Sequence, residues 1–150
     1  MVDEDDKYKR AAELVYEHNT EMHEFCIERQ AEYGKWLTSS LFIMHGAAIS
    51  GLLFKAPHGA PPVYLFAVWW FVIGLVLALA SGFSAWWNFT FLADQYNRWA
   101  DHRMLTDRAR WPEPVPSRAI DATLWIAVVT GVLSVGCLLG GAASVACSWR

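Results

Sequence analysis

Hydrophobic positions are concentrated in three long runs that contain no Asp, Glu, Lys or Arg: 36–54, 60–93 and 122–148. A helix needs about 20 apolar residues to cross the hydrocarbon core of a bilayer. Because a segment in lipid must satisfy its own backbone hydrogen bonds, each run is predicted to be helical. We place the spans at 36–54, at 63–88 with the helix continuing to about residue 110, and at 122–148. The pattern therefore predicts an all-α integral membrane protein with three transmembrane helices.

The polar N-terminal segment, residues 1–35, is predicted to form a long cytoplasmic helix. It contains no proline, and its only glycine is Gly34, so the helix can continue directly into the first span. Spacing residues by 100° predicts a buried apolar arc and makes the helix amphipathic. The arc contains Leu14, Val15, Met22, Phe25, Cys26, Tyr33 and Trp36. We therefore divide the chain into a cytoplasmic helix, 1–35, and a three-span domain, 36–150.

The distribution of Lys and Arg predicts the orientation. Five basic residues precede the first span, one lies between the first and second spans, five lie between the second and third, and one follows the third. Since loops rich in Lys and Arg stay in the cytoplasm, the N-terminus is expected inside and the C-terminus in the periplasm. The acidic start, Asp3 to Asp6, is unlike a secretory signal, so no cleavage is expected. The predicted location is the bacterial inner membrane, as a multi-pass protein.

Composition narrows the classes of function. Of the 150 residues, 55% are hydrophobic, 18% are charged and nine are Trp, which is typical of a protein in contact with a lipid bilayer. The three cysteines form no CxxC pair, and a net charge of -3 gives no reason to expect nucleic acid. No catalytic motif is recognisable in the sequence. We therefore expect a non-enzymatic protein without a cofactor or a metal site.

Acidic residues follow one another at helical spacing along the N-terminal segment. We call this set the acidic stripe: Glu13, Glu17, Glu21, Glu24, Glu28 and Glu32. Like charges at these spacings repel, and three interpretations account for their presence. In the first, the stripe is a solvated face. In the second, it pairs with arginines of the second loop, within or between subunits. In the third, carboxylates of several copies form a cation site, chiefly Glu17, Glu21, Glu24 and Glu28. The arginines in question are Arg98, Arg103, Arg108 and Arg110.

His45 is the only His, Asp, Glu, Lys or Arg within a predicted span. A polar side chain at that depth usually faces protein or water. The favoured interpretation is a packing histidine that is hydrogen-bonded to a Ser or a backbone carbonyl. A pore or proton-path residue and a cofactor ligand are the two alternatives.

Small residues recur at four-residue intervals in every span and predict close helix packing. The ridges are Gly46 with Ser50, then Gly74 with Ala78 and Gly82, then Gly136 with Gly140 and Ser144. Three such ridges offer more packing surface than a lone three-helix subunit needs, which favours a homo-oligomer.

The long helix leads through Gly-Lys-Trp-Leu, residues 34–37, into a span that contains His-Gly-Ala-Ala-Ile-Ser-Gly, residues 45–51. Over residues 15–93 this arrangement is similar to small uncharacterised inner-membrane proteins of bacteria. An N-terminal helix followed by a tight hairpin of spans also resembles the SLATT class of membrane effectors. That resemblance implies oligomerisation and disruption of the membrane, although this chain adds a third span.

Two functions are therefore predicted as alternatives. The first is a homo-oligomeric pore, such as an ion channel, or a membrane-perturbing effector. The second is an accessory or scaffold subunit of a larger membrane complex, with other membrane subunits as partners.

Overall fold

The computed structural model describes residues 4–55, 62–113 and 117–147, and within these ranges it contains helices and no strand. Three long helices follow one another: α1, Glu4–Lys55; α2, Pro62–Trp99; and α3, Arg118–Cys147. Two short 3₁₀ turns, His102–Leu105 and Arg108–Arg110, connect α2 to α3. The all-α class is thus confirmed. Residues 56–61, between the first and second predicted spans, and the end of the third predicted span, residue 148, lie outside the described residues.

The first helix is continuous over 52 residues, as the absence of proline from its sequence predicts. Its first turn carries Glu4, Asp5 and Asp6, whose charges interact favourably with the partial positive charge of a helix N-terminus. The polar N-terminal segment and the first apolar run therefore form a single rod.

The central helix is α2, because both α1 and α3 pack along it. Its small residues Gly74, Ala78 and Gly82 are buried and mark the lines of closest approach. A Cβ at Gly74 would collide with the His45 ring of α1 and would lie 3.0 Å from the Cβ of Cys137 in α3. A Cβ at Gly82 would collide with Thr38. This ridge therefore allows two neighbouring helices to approach the α2 backbone.

The face that α1 presents to α2 differs from the predicted apolar arc. Of that arc, Cys26 is buried, but Leu14 and Phe25 remain 67% and 46% exposed. The buried positions of the N-terminal half are instead Ala12, Asn19 and Cys26, seven residues apart. Small and polar side chains occupy the contact with α2 because the small ones permit a close approach of the two helices and the polar ones hydrogen-bond to α2. The apolar character of a helix face predicts neither the close approach of two helices nor the hydrogen bonds between them.

The second helix ends at Trp99 instead of continuing to about residue 110. The carboxylate of Asp101 accepts a hydrogen bond from the backbone N–H of Arg103, and the carboxylate of Asp107 accepts one from Ala109. These local side-chain bonds compete with helical hydrogen bonding and start the two 3₁₀ turns.

Two of the described helices, α2 and α3, are long and apolar enough to cross a membrane by length and composition, each with an apolar window of mean hydropathy 2.2. Only 28% and 11% of these windows are buried within the protein, whereas the core helix of a soluble protein is mostly buried. The apolar part of α1, Thr38–Phe54, is shorter. The exposed apolar surface of α2 and α3 favours association with a membrane.

Candidate functional site

His45 is fully buried where the three long helices meet. Its Nε2 lies 3.1 Å from Oγ of Ser134 on α3, and the Ser134 hydroxyl donates to the backbone carbonyl of Gly74 on α2 over 2.8 Å. A serine hydroxyl carries one proton, so Ser134 must accept from His45. This network places a proton on Nε2 of His45 and links α1, α3 and α2 in that order.

The other ring nitrogen of His45, Nδ1, is buried and has no hydrogen-bond partner. The ring makes an edge contact with Phe71, with 6.2 Å between centroids, and it lies directly against Gly74. The unpaired lone pair can accept a hydrogen bond or a proton. Among the described residues, no group of three or more His, Cys, Asp or Glu side chains is placed to hold a metal ion.

The acidic stripe lies on the exposed surface of α1. Glu32 forms an ion pair within its own helix, with Nη1 of Arg29 2.9 Å from its carboxylate. Two of the loop arginines have other partners: Arg98 binds Asp94 at 2.6 Å, and Arg108 binds Asp5 at 2.9 Å. Arg103 and Arg110 are exposed. Arg98 and Arg108 therefore do not pair with the stripe within one chain, and pairing between subunits stays a prediction.

The contacts at Arg108 connect the start of α1 to the second loop. Its guanidinium lies 4.9 Å from the ring centroid of Tyr8, and the Tyr8 hydroxyl donates to the backbone carbonyl of Met104, which is fully buried. Asp5, Tyr8 and the two 3₁₀ turns thus form a common end of the molecule.

Sequence reasoning missed a row of side-chain hydrogen bonds from α1 to the backbone of α2. The amide of Asn19 donates to the carbonyl of Trp99 over 3.3 Å, and Nδ1 of His23 lies 2.8 Å from the carbonyl of Ala93. The amide of Gln30 donates to the carbonyl of Trp86 and to the side-chain hydroxyl of Thr90. Because a carbonyl only accepts, His23 carries its proton on Nδ1. The spacing of residues 19, 23, 26 and 30, which share one face of a helix, is the signal that could have identified this row.

The predicted packing ridges differ in whether they contact another helix of the chain. The α2 ridge is buried, as described above, whereas Gly46 and Gly136 have nothing within 4 Å of their Cβ positions. At Gly140 the Cβ position lies 3.5 Å from the Trp70 ring, and the Ser144 hydroxyl bonds to the carbonyl of Gly140 in the same helix. Ser50 is exposed. Within one chain, the buried positions of α3 against α2 are Ser134, Cys137 and Gly141, and Gly140 lies beside them.

A groove of about 900 Å³ follows α1 from the polar segment into the apolar run. It is lined by Arg29, Glu32, Lys35, Trp36, Ser39, Ser40 and Ile43. A smaller cleft of about 490 Å³ lies between the end of α2 and the approach to α3, and it contains Asp94 and Arg98. The first groove combines two basic groups, one acidic group and an apolar floor.

No protein-family model, curated protein or solved structure matches the chain. The function of this helical protein is therefore inferred from the chemistry of its own residues.

Proposed function

We propose that this chain is a non-enzymatic, three-span inner-membrane protein that self-assembles into a homo-oligomer and permeabilises its membrane to ions. In this proposal α2 and α3 are two of the spans. Their outward apolar side chains would be solvated by lipid tails.

The third crossing is the apolar part of α1. Thr38–Phe54 holds 17 residues, or about 26 Å of helix, close to the thickness of the hydrocarbon core. The hydrogen bond from His45 to Ser134 and the contact of Thr38 with Gly82 hold this stretch alongside the apolar parts of α2 and α3. Those contacts support a common depth for the three segments.

Self-assembly is supported by one observation above all: α1 carries large apolar side chains, such as Leu14 and Phe25, in its polar segment, beyond the apolar run. None of the described parts of the chain covers them. Lipid tails cannot solvate these positions. Large apolar side chains that are exposed along one face of a helix outside a membrane favour protein association.

The acidic stripe supports a role in ion passage. Its carboxylates are exposed along the same helix, and an assembly around α1 would collect several stripes at the cytoplasmic end of the membrane domain. Rings of carboxylates attract cations and are used in cation channels. We therefore expect cations to pass in preference to anions.

The test uses the full chain purified in a mild detergent and then reconstituted into liposomes. Light scattering after gel filtration is expected to give a particle whose protein mass is a multiple of 16.9 kDa. Liposomes that contain the particle are expected to release trapped cations, whereas empty liposomes are not. A monomer contradicts self-assembly, and an assembled particle without ion release contradicts the pore.

The second candidate, an accessory or scaffold subunit, has support from the same exposed apolar side chains if a different chain covers them. Purification from the native membrane separates the candidates. Obligatory copurification with other membrane subunits, in place of a self-assembled particle, would favour the scaffold.

A further inference from the structure

A coiled-coil repeat runs along α1 on a face that α2 does not cover. Alternate steps of four and three residues connect ten positions, which we call the α1 seam: Ala11, Val15, His18, Met22, Phe25, Arg29, Glu32, Trp36, Ser39 and Ile43. Six of the ten are apolar. A spacing that averages 3.5 residues is the signature of a helix that packs against another helix over a long distance.

The structure leaves seven positions of the α1 seam exposed and three, Val15, Met22 and Arg29, half-buried. None of its ten positions is buried, and Trp36 and Ile43 are 78% and 67% exposed. The positions that contact α2 in the N-terminal half, Ala12, Asn19 and Cys26, each follow a seam residue and lie at its edge. The groove of about 900 Å³ is the part of the seam from Arg29 to Ile43.

We propose that the α1 seam is the surface on which the α1 helix of a second copy of this chain docks, in parallel, as a coiled coil. This inference rests on the self-assembly proposed above and specifies its contact. Copies inserted in one membrane share one orientation, so their α1 helices are parallel.

The charges within the seam fit a second copy. In a parallel coiled coil of this register, Arg29 enters a hole formed by Phe25, Glu28, Arg29 and Glu32 of the other helix. In the single chain the Arg29 guanidinium already lies 5.2 Å from the centroid of Phe25 and 2.9 Å from the carboxylate of Glu32. In the coiled coil, Phe25 and Glu32 of the second copy are again an aromatic ring and a carboxylate beside Arg29. Two guanidinium groups would meet four carboxylates, so each buried cation has an anion beside it.

Polar residues inside the seam also favour a defined register. His18, Arg29 and Glu32 break the apolar repeat, and polar residues at core positions of coiled coils select register and partner number at a cost in stability. A slip by one heptad would place Met22 or Trp36 opposite Arg29. The matched register is therefore preferred.

A lipid does not explain the seam equally well. Ala11 lies about 38 Å along the helix from Trp36, farther than a lipid at the membrane boundary can reach. Glu32 also sits beside Arg29 and Lys35 in the groove and would repel an anionic headgroup. The α1 helix of a second copy covers both the part of the seam near Ala11 and the part in the groove near Trp36.

Disulfide cross-linking in native membranes tests this contact. Cys147, which is exposed, is first changed to Ser, and buried Cys26 and Cys137 are retained. Ala11→Cys and Phe25→Cys each place a thiol in the seam, where the two copies of a core position face each other. Glu13→Cys and Glu24→Cys are matched controls on the acidic stripe. After mild oxidation, the seam variants are expected to shift to twice the monomer mass, and the controls are not.

The outcomes separate this inference from the proposed function. If the purified protein is oligomeric but Ala11→Cys and Phe25→Cys cross-link no better than the controls, the second copy docks elsewhere and the inference is wrong, while self-assembly stands. Cross-links from the seam only to a different polypeptide also overturn it. If the chain is monomeric in detergent and in membranes, both proposals fail. Because Ala11 and Phe25 are exposed in the single chain, their replacement leaves the three-helix fold intact.

Discussion

At the scale of single residues, Ser134 joins the three helices, because its hydroxyl accepts from His45 on α1 and donates to Gly74 on α2. Ser134→Ala would leave Nε2–H of His45 without an acceptor at a site where Nδ1 already has no partner. We expect a loss of stability of about 1 kcal/mol, in the range found for buried hydrogen bonds between membrane helices. Reversible unfolding in mixed micelles measures it. The control is Thr130→Ala, whose hydroxyl bonds only within α3, to the carbonyls of Ile126 and Ala127. Equal losses in the two variants would contradict a special role for Ser134.

The thiol of Cys26 reports whether α1 and α2 stay in contact in the polar part of the molecule. It is 3% exposed, and burial raises its pKa above the usual value for a thiol. A raised pKa lowers the thiolate fraction at any given pH, so alkylation should be slow at pH 7 and should still accelerate at pH values where an ordinary thiol has reached its plateau. Exposed Cys147 should react first. Mass spectrometry of alkylated peptides over a pH series checks this order. Equal rates for both cysteines at pH 7 would show that the α1–α2 contact opens readily.

At the scale of elements, two glycines one turn apart on α3 should respond differently to the same change. At Gly140 the Cβ position already lies in van der Waals contact with the Trp70 ring of α2, at 3.5 Å, so the larger Leu side chain of Gly140→Leu has to displace that ring. We expect the α2–α3 contact to weaken and the monomer to aggregate or be degraded. Gly136→Leu meets nothing within 4 Å, so the helical monomer should persist. Circular dichroism and gel filtration in detergent distinguish the two.

The same pair of variants tests the outer face of α3. If that face joins subunits, Gly136→Leu lowers the oligomeric fraction because an apposed helix is pushed outward. Oligomers that are unchanged by Gly136→Leu would show that the face contacts lipid. A folded, fully assembled Gly140→Leu protein would contradict the packing of Gly140 on Trp70.

The helices themselves could be predicted from the sequence because runs free of charge and proline leave few alternatives. Which face of each helix packs against its neighbour could not be predicted from the sequence. The apolar arc of α1 includes Leu14 and Phe25, but α2 selects Ala12 and Asn19, since an interhelical contact depends on close approach and on available carbonyl groups. His45 could be identified from its isolation in an apolar run. Its partner, Ser134, lies 89 residues away, and only the tertiary structure brings the two together.

At the scale of the whole molecule, assembly should depend on charge pairs between subunits. Within the chain, Arg98 and Arg108 bind Asp94 and Asp5, so exposed Arg103 is the better test of pairing with the acidic stripe. We expect Arg103→Glu to reduce the oligomeric fraction at low salt and Glu21→Arg in the same chain to restore part of it, because the two reversed charges attract again. Gel filtration at low and high salt measures the fraction. Losses that add without compensation would argue against the pairing.

The orientation of the chain in the membrane can be predicted from its charge pattern together with the contacts of the structure. The ion pair of Asp5 with Arg108 and the bond of Tyr8 to Met104 place the start of α1 and the second loop at the same end of the molecule, and these are the two segments with five basic residues each. The positive-inside rule predicts that this end lies in the cytoplasm. An alkaline phosphatase fusion after Arg150, or one inserted within residues 56–61, between the first and second spans, should therefore be active in the periplasm. A fluorescent protein fused before Asp5 should fold in the cytoplasm. Cytoplasmic activity of a reporter at Arg150 would show that the chain crosses the membrane an even number of times, and the apolar part of α1 would then be the segment that fails to cross.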